Sequence, residues 1–337
     1  MKRTVLVTGA GGFIGSHLVD RLYADGHDVT GIGNFAGGSD EHLAGKTDRS
    51  RIRFIEADIT DSRQLKAEYF HGTDWVFHLA ARSGNAKSLA EPFAFHETNV
   101  SGTVNVLEAA RKANVKKLIY AASSTCYGNA RCPTPETAPV APVSPYGLTK
   151  FLGEEYVMHW GQVFRLPVVS LRLYYVYGPK IRPGGSYGAL VTMFLNQLLT
   201  EGHVTLSGDG SQKRDFTYVA DAVDALVTAA RSSIFGEIFN AGSGQVSDLK
   251  KLAGLLGGRI VHAKPLSGEI MSAYPDLHKI RRILKWKPKT DIITGIAMVL
   301  ASRDMWEKNP GNAPDRMRDN LKNRQRNSRI RRLKINV

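Results

Sequence analysis

Residues Thr4-Val5-Leu6-Val7-Thr8-Gly9-Ala10-Gly11-Gly12-Phe13-Ile14-Gly15 run from an apolar segment of strand length through a glycine turn into a helical pattern. Gly9, Gly12 and Gly15 permit a tight turn, close approach of a pyrophosphate to backbone, and close packing of helix on strand. The helix N-terminus behind them offers N–H groups and the positive end of its dipole to phosphate. A glycine triplet in this setting, at the start of the chain and between a buried strand and a helix, predicts a dinucleotide-binding turn. Phe13 and Ile14, in the first helical turn, are counted with it.

Outward from that turn, strand-like and helix-like patterns alternate. Apolar runs at 5–8, 29–33, 53–57, 75–80, 117–122 and 166–174 read as buried strands, and 13–23, 62–69, 103–112, 146–160 and 187–200 read as helices. The alternation predicts an α/β fold, a doubly wound parallel sheet of the Rossmann type with a smaller C-terminal substrate-binding lobe. The expected organisation is a dinucleotide-binding domain over 1–180 and a lobe over 181–310, with some elements returning to the main domain, then a basic tail over 311–337. A dinucleotide site ordinarily has an acid about twenty residues past the turn to hold the adenosine ribose. Here the second strand ends Gly31-Ile32-Gly33-Asn34-Phe35, without a carboxylate. Asn34 can still hydrogen-bond a ribose hydroxyl, and with no Arg beside it in sequence an NADP-type phosphate clamp is not evident. Asp58, at the end of the third strand, reads either as an acceptor for the adenine amine or as a cap for a helix beginning at Ser62.

The formal net charge of +14 suggests nucleic acid until its distribution is considered. Nine Lys/Arg against two Asp lie between Gly311 and Val337, so half of the excess sits in the tail. With no aromatic interleaved there for base stacking, a solvated end is favoured over contact with RNA or an anionic membrane surface. No run of about eighteen apolar residues is present, and the first residues do not form a signal sequence, so a cytoplasmic location is expected. Two cysteines, Cys126 and Cys132, are too few for a disulfide scaffold or a Cys-based zinc site. The ten histidines show no ligand spacing, so no metal is expected; His78 reads as packed at a strand end.

In Ser144-Pro145-Tyr146-Gly147-Leu148-Thr149-Lys150, Tyr146 and Lys150 are one helical turn apart on the same face. A phenol ordinarily ionises near pH 10, about three units too high for a base at neutrality. A neighbouring ammonium is expected to lower that value. Pro145 suits the first turn of the helix, where its missing N–H has no partner to lose.

Together, several ordered motifs resemble the extended short-chain dehydrogenase/reductases, specifically the NAD-dependent sugar-nucleotide epimerase/dehydratase family. They are the glycine turn, Asp58, His78-Leu79-Ala80-Ala81, Thr98-Asn99-Val100, Ser123-Ser124-Thr125-Cys126-Tyr127-Gly128, Tyr146 with Lys150, Leu171-Arg172-Leu173 through Tyr177-Gly178-Pro179, and Gly208-Asp209-Gly210 followed by Arg214-Asp215-Phe216-Thr217-Tyr218-Val219. The resemblance runs from residue 1 to about 305 and implies NAD as cofactor. It places Asn34, Asp58, Ile59, Leu79, Ala80, Ala81, Asn99, Tyr146 and Lys150 around that cofactor along with the glycine turn. It implies that Tyr146, poised by Lys150 and by the oxidised nicotinamide, takes a proton from a sugar hydroxyl while hydride passes from the same carbon to NAD, with Ser123 bridging sugar oxygen and phenol. Dimerisation through two helices per subunit is implied in the same way.

The family's 4,6-dehydratases carry Thr-Asp-Glu where this chain has Ser123-Ser124-Thr125, and removal of water needs such an acid and base. This favours a C4 epimerase of a nucleotide-diphosphate sugar, UDP-linked, over a dehydratase or a 4-ketosugar reductase. The resemblance assigns Ser123, Ser124, Tyr146, Tyr175, Arg214 and Ala273 to substrate. Arg214 matches the arginine that meets the diphosphate. Tyr175 stands where an Asn is usual, and Leu266 where a second arginine is usual. Ala273 falls at the position that gates bulk beside the sugar's C2 substituent, leaving room for an N-acetyl group. The different-class alternative is a non-catalytic dinucleotide-binding regulatory protein, which Gly33, Tyr175 and Leu266 leave open and Ser123, Tyr146 and Lys150 oppose.

Overall fold

Val5, Leu6 and Val7 are all fully buried. Successive residues of a strand face opposite sides, so this strand is covered on both. The computed structural model describes residues 1–34, 50–181, 190–265 and 269–302. Its first half contains β1 (Thr4–Thr8), α1 (Phe13–Ala24), β2 (Asp28–Gly33), β3 (Ile52–Glu56), β4 (Trp75–His78), α2 (Asn85–Ala90), α3 (Pro92–His96), α4 (Gly102–Lys112), β5 (Lys117–Ser123), α5 (Pro145–Phe164) and β6 (Val168–Leu173). There follow α6 (Leu190–Thr200), β7 (His203–Ser207), β8 (Lys213–Asp215), α7 (Val219–Arg231), β9 (Glu237–Ala241), β10 (Val246–Asp248), α8 (Leu249–Leu255), β11 (Arg259–Ala263), β12 (Ser272–Ala273), α9 (His278–Ile283) and α10 (Ile292–Ala301).

Seven strands form one parallel sheet in the order β3-β2-β1-β4-β5-β6-β9. Val5 and Val7 belong to a core that includes residues of α1 and α7, and Leu6 to a second core shared with α4 and α5. The expected Rossmann-type sheet is therefore present, and β9, from beyond residue 180, completes it. A three-stranded sheet (β10-β8-β12) and a two-stranded one (β11-β7) are built from the later chain. Because every strand of the main sheet runs the same way, all its carboxyl ends lie along one edge. Ligands of open α/β sheets bind there.

Some expected elements differ. Residues 62–69 form turns and a short 3-10 segment, Ala67–Phe70, instead of a helix. The side chain of Asp61 accepts from the Arg63 backbone and guanidinium, each at 3.0 Å, and thereby holds a local turn that competes with helix. The fourth strand stops at His78 because the Ala80 N–H turns to the Thr8 hydroxyl, 3.3 Å away, instead of a ladder carbonyl. Helices α2 and α3 were not expected; α3 passes through a π turn, Glu97–Ser101, into α4. The glycine-rich loop 182–186, the start of the helix expected at 187, Phe35, Leu266, Gly268 and the tail 311–337 lie outside the described residues. Among the described residues, no helix is long and apolar enough to cross a membrane, and no group of three or more His, Cys, Asp or Glu side chains could hold a metal.

Helix α5 opens as expected: Ser144 accepts from the Gly147 N–H at 3.1 Å, and Pro145 is the first helical residue. Its middle is bolted to β6. Glu154 takes the Arg172 guanidinium at 2.5 and 2.9 Å and the Ser170 hydroxyl at 2.7 Å, with both charged side chains almost wholly buried. Breaking such a pair from one side strands a charge in the interior. Glu154→Ala is therefore expected to lower the unfolding free energy by about 3–5 kcal/mol, read from the urea midpoint. A loss below about 1 kcal/mol would show that the pair does not hold α5 in place.

Candidate active site

The carboxyl ends of adjacent strands bring the candidates to one edge. Gly9 follows β1, Asn34 follows β2, Asp58 lies just past β3, Leu79-Ala80-Ala81 follow β4, Ser123 ends β5, and Tyr175 lies just past β6.

At the turn after β1, Gly9 has φ +70, and an added Cβ would stand 2.7 Å from the Ala80 nitrogen. A Cβ on Gly15 would fall 2.1 Å from the Gly9 carbonyl oxygen. Both glycines are thus required by steric contact between turn, helix and the strand-four loop. Helix α1 starts at Phe13 with no side chain capping it and no acidic residue in its first turn. An uncapped helix end behind a stripped turn fits the pyrophosphate of a dinucleotide. Phe13 is buried against His17, and Ile14 is half-buried.

Beside the turn, Asn34 donates to Asp58 at 2.7 Å, and Asp58 also accepts from the Thr60 N–H at 2.9 Å and hydroxyl at 2.8 Å. Burial alone would raise the Asp58 pKa, but the bonds from Thr60 and Asn34 and the nearby Arg82 charge hold it below the usual carboxylate range. Asp58 caps no helix, since none begins at Ser62. An arginine does reach this corner in space, although none flanks Asn34 in sequence. Ile59 is buried, and its side chain fills the space a Cβ on Gly102 would need.

A directed chain of hydrogen bonds runs behind the turn. The Thr103 hydroxyl donates to the Asn99 carbonyl at 2.7 Å. Its oxygen therefore accepts from His78 Nε2–H at 2.9 Å, and His78 Nδ1 accepts from the Thr8 hydroxyl at 2.7 Å. The Thr8 oxygen in turn accepts the Ala80 N–H. His78 is fully buried at the end of β4, as its strand-end position suggested, and burial together with the Lys150 charge pushes its pKa down to about 3. It is a neutral spacer at any ordinary pH.

Asn99, in the π turn, clamps the loop after β4 to α5. Its side chain accepts from the Arg82 N–H at 2.8 Å and donates to the Arg82 carbonyl and the Thr149 hydroxyl, each at 3.0 Å. Thr149 bonds back to the Tyr146 carbonyl at 3.1 Å. A second tie joins the Ser144 hydroxyl to Asn85 at 2.9 Å. The Tyr146 ring meets the edge of Phe95, with centroids 6.1 Å apart.

Ser123 caps a short 3-10 turn, Ser124–Tyr127, and shares a 2.8 Å bond with the Thr125 hydroxyl. Burial raises the Tyr146 pKa above its ordinary value, and a hydrogen bond with Ser123 opposes the rise. The expectation that Lys150 would lower it is not met. Lys150 is 4 % exposed, and burial brings its own pKa down to about 7 despite the Glu154 charge. Desolvation is the largest influence on each of the two groups. Its ammonium stands 4.1 Å from the centroid of the Tyr120 ring, a partner that sequence reading missed. The signal available was an aromatic residue within the strand that ends at Ser123.

Tyr175, Arg214 and Ala273 form a second group. Tyr175 has φ +33, a strained value for a bulky residue of the kind that clusters at functional sites. Its ring lies 5.6 Å from the Arg214 guanidinium. Arg214 donates to the Lys213, Ile270 and Met271 carbonyls, at 2.9, 2.6 and 3.4 Å, while its buried Nε has no partner. Ala273 pairs with Arg214 in register across β8 and β12. Ser124 is half-buried beside Ser123. Cys126 is buried, at 1 % exposed.

Residues 5–242 match the model of the NAD dependent epimerase/dehydratase family. The chain is 36% identical over 302 residues to the UDP-glucose 4-epimerase of Mycolicibacterium smegmatis, covering 87% of this chain and 96% of that one. It is also similar to the solved UDP-glucose 4-epimerase of Thermotoga maritima with UDP-glucose (TM-score 0.82, 33% identity, 90% of this chain and 99% of that one). A third likeness is to the dTDP-glucose 4,6-dehydratase of Streptomyces venezuelae solved with NAD bound (TM-score 0.83, 28% identity, 91% and 98%).

The His78 chain makes a prediction about acid. Folded His78 takes its proton only near pH 3, whereas an unfolded histidine takes it near about 6.5. Between these values the unfolded chain binds the extra proton, so stability rises with pH across that window and is lost as pH falls through it. Urea unfolding at stepped pH is expected to show a shallower slope between about pH 4 and 6.5 for His78→Gln than for the unaltered chain. Equal slopes would remove His78 from the account.

Proposed function

The chain belongs to the NAD dependent epimerase/dehydratase family, and from that footing we propose that it inverts C4 of a UDP-linked sugar through a transient 4-keto sugar. The observation that carries the reading is the placement of Tyr146 and Lys150 one turn apart on α5, with Ser123 at the carboxyl end of β5 near enough to act on the phenol. The glycine turn, Asn34, Asp58, Leu79-Ala80-Ala81, Asn99 and Lys150 would hold NAD, which supplies a hydride acceptor and donor for the sugar carbon. Tyr146 takes the proton from the C4 hydroxyl and returns it after the sugar has turned. Ser123 holds the same oxygen and keeps the phenol in line. Lys150 supplies positive charge that favours the phenolate.

Dehydration is opposed by side-chain chemistry. Ser124 and Thr125 carry hydroxyls, not carboxyls, and Thr125 is engaged with Ser123. Binding of the sugar diphosphate by Arg214 is supported by its buried, unpartnered Nε. Tyr175, stacked on that guanidinium, stands at the same end of the sheet, and Ala273, beside Arg214, leaves room for an N-acetyl group at C2. Pairing of two chains through α5 is supported by the exposed Leu148, Tyr156, Val163 and Phe164 on that helix and Phe93 on α3.

Incubation of the purified protein with UDP-glucose, UDP-N-acetylglucosamine and UDP-glucuronate is expected to give the C4 epimer of at least one, resolved by chromatography. A stable 4-keto-6-deoxy product would replace the epimerase reading with a dehydratase. Tyr146→Phe is expected to lower kcat by about a thousandfold, and retention of activity would overturn the mechanism. Ala273→Tyr is expected to cut kcat/KM for the N-acetylated sugar by about tenfold or more relative to UDP-glucose; an unchanged ratio would remove Ala273 from the specificity account.

A further inference from the structure

Among the described residues Lys150 makes no ion pair. Its Nζ rests over the ring of Tyr120, 4.1 Å from the centroid, and both residues are buried. The carboxylate one turn along the helix, Glu154, is already taken by the Arg172 fork and the Ser170 hydroxyl. On the far side of the sheet position, the neutral His78 ring packs on Tyr120 at 5.5 Å between centroids. The Tyr120 hydroxyl lies 3.4 Å from the Lys150 carbonyl, and a Cβ on Gly153 would stand only 2.5 Å from that hydroxyl. The ring is thus wedged between strand and helix and cannot swing away.

The charged and titratable groups around Lys150 are Tyr146 and Glu154 on its own helix, Tyr120 on β5, His78 on β4 and, beyond Glu154, Arg172 on β6. An ammonium taken from water needs a negative counterpart. A carboxylate in contact would supply one but would also neutralise the charge that Tyr146 is to feel. The negative face of an aromatic ring stabilises a cation without cancelling it.

We infer that Tyr120 is a positioning residue for Lys150, its ring face keeping the ammonium charged one turn from Tyr146. The inference rests on the reading that Tyr146 and Lys150 act together in proton transfer. Since the working form carries a protonated Lys150, activity falls as pH rises through the Lys150 pKa, and weakening the ring's hold moves that fall to lower pH.

The test is the pH profile of kcat/KM for the holoenzyme with whichever UDP-sugar it epimerises. Tyr120→Phe keeps the ring and is expected to leave the alkaline limb within about 0.3 of a unit of its position. Tyr120→Leu is expected to bring the limb down by about one unit. Should Tyr120→Leu not fold, 4-fluoro-, 3,5-difluoro- and 3,4,5-trifluorophenylalanine at position 120 keep the shape while draining the ring's negative face. The limb is expected to descend stepwise through that series. An alkaline limb that stays fixed across the fluorinated series, in folded protein, overturns the inference. Lys150→Met and Tyr146→Phe in the same assay separate the two levels: activity retained in those variants means the site reading itself has failed, whereas inactive variants with an unmoved fluorinated series mean that only Tyr120's role has.

Discussion

The hydrogen bonds that run from the Ala80 N–H through Thr8, His78 and Thr103 to the Asn99 carbonyl fix the direction of every donor along the way. Its members come from the first strand, the fourth strand, the loop that follows it, the π turn and the helix beyond. Because Thr8, His78, Thr103 and Asn99 are all buried, losing one of these partners would leave a polar atom unsatisfied away from water. The same Asn99 then reaches from Arg82 to Thr149, so the geometry of the glycine turn is transmitted to the helix carrying Tyr146 and Lys150. The glycine turn and the helix face bearing Tyr146 and Lys150 are thereby tied into one framework.

Burial decides the electrostatics of that framework. Tyr146 and Lys150 are pushed in opposite directions by the same cause, loss of water, the phenol upward and the amine down to about 7. Read as neighbours on a helix, the pair suggests a simple charge effect; read in place, desolvation is the larger influence on each. The surrounding groups are arranged so that no carboxylate intervenes. Glu154 is occupied by Arg172, and Asp58 by Asn34 and Thr60. The nearby carboxylates are already spent.

Much of this was legible in the chain. The glycine spacing at 9, 12 and 15, the buried runs and the Tyr146/Lys150 spacing are local patterns, and local patterns report a sheet, a turn and a helix face directly. Partnerships made across the sheet were not legible. Nothing in sequence says that Phe95 will edge against Tyr146, that Asn85 will receive Ser144, or that Arg82 will approach Asp58. Residues 62–69 misled because their apolar spacing fits a helix, while the carboxylates of Asp58 and Asp61 bond to the backbone N–H groups of Thr60 and Arg63. Tyr120 was hidden for the opposite reason: an aromatic in a buried strand looks like ordinary core.

The π turn at Glu97–Ser101 accommodates one residue more than a regular helical turn would. A single added residue advances the winding by about 100°, so the segments before and after it are out of phase. That offset lets Phe95 ahead of it meet the phenol while Thr103 behind it meets the imidazole, with Asn99 facing inward between them. A uniformly wound segment of the same length would direct those three side chains along different azimuths. Length variation in this stretch is therefore tightly constrained, since an insertion or deletion here would dephase the two halves of the centre even with every side chain retained.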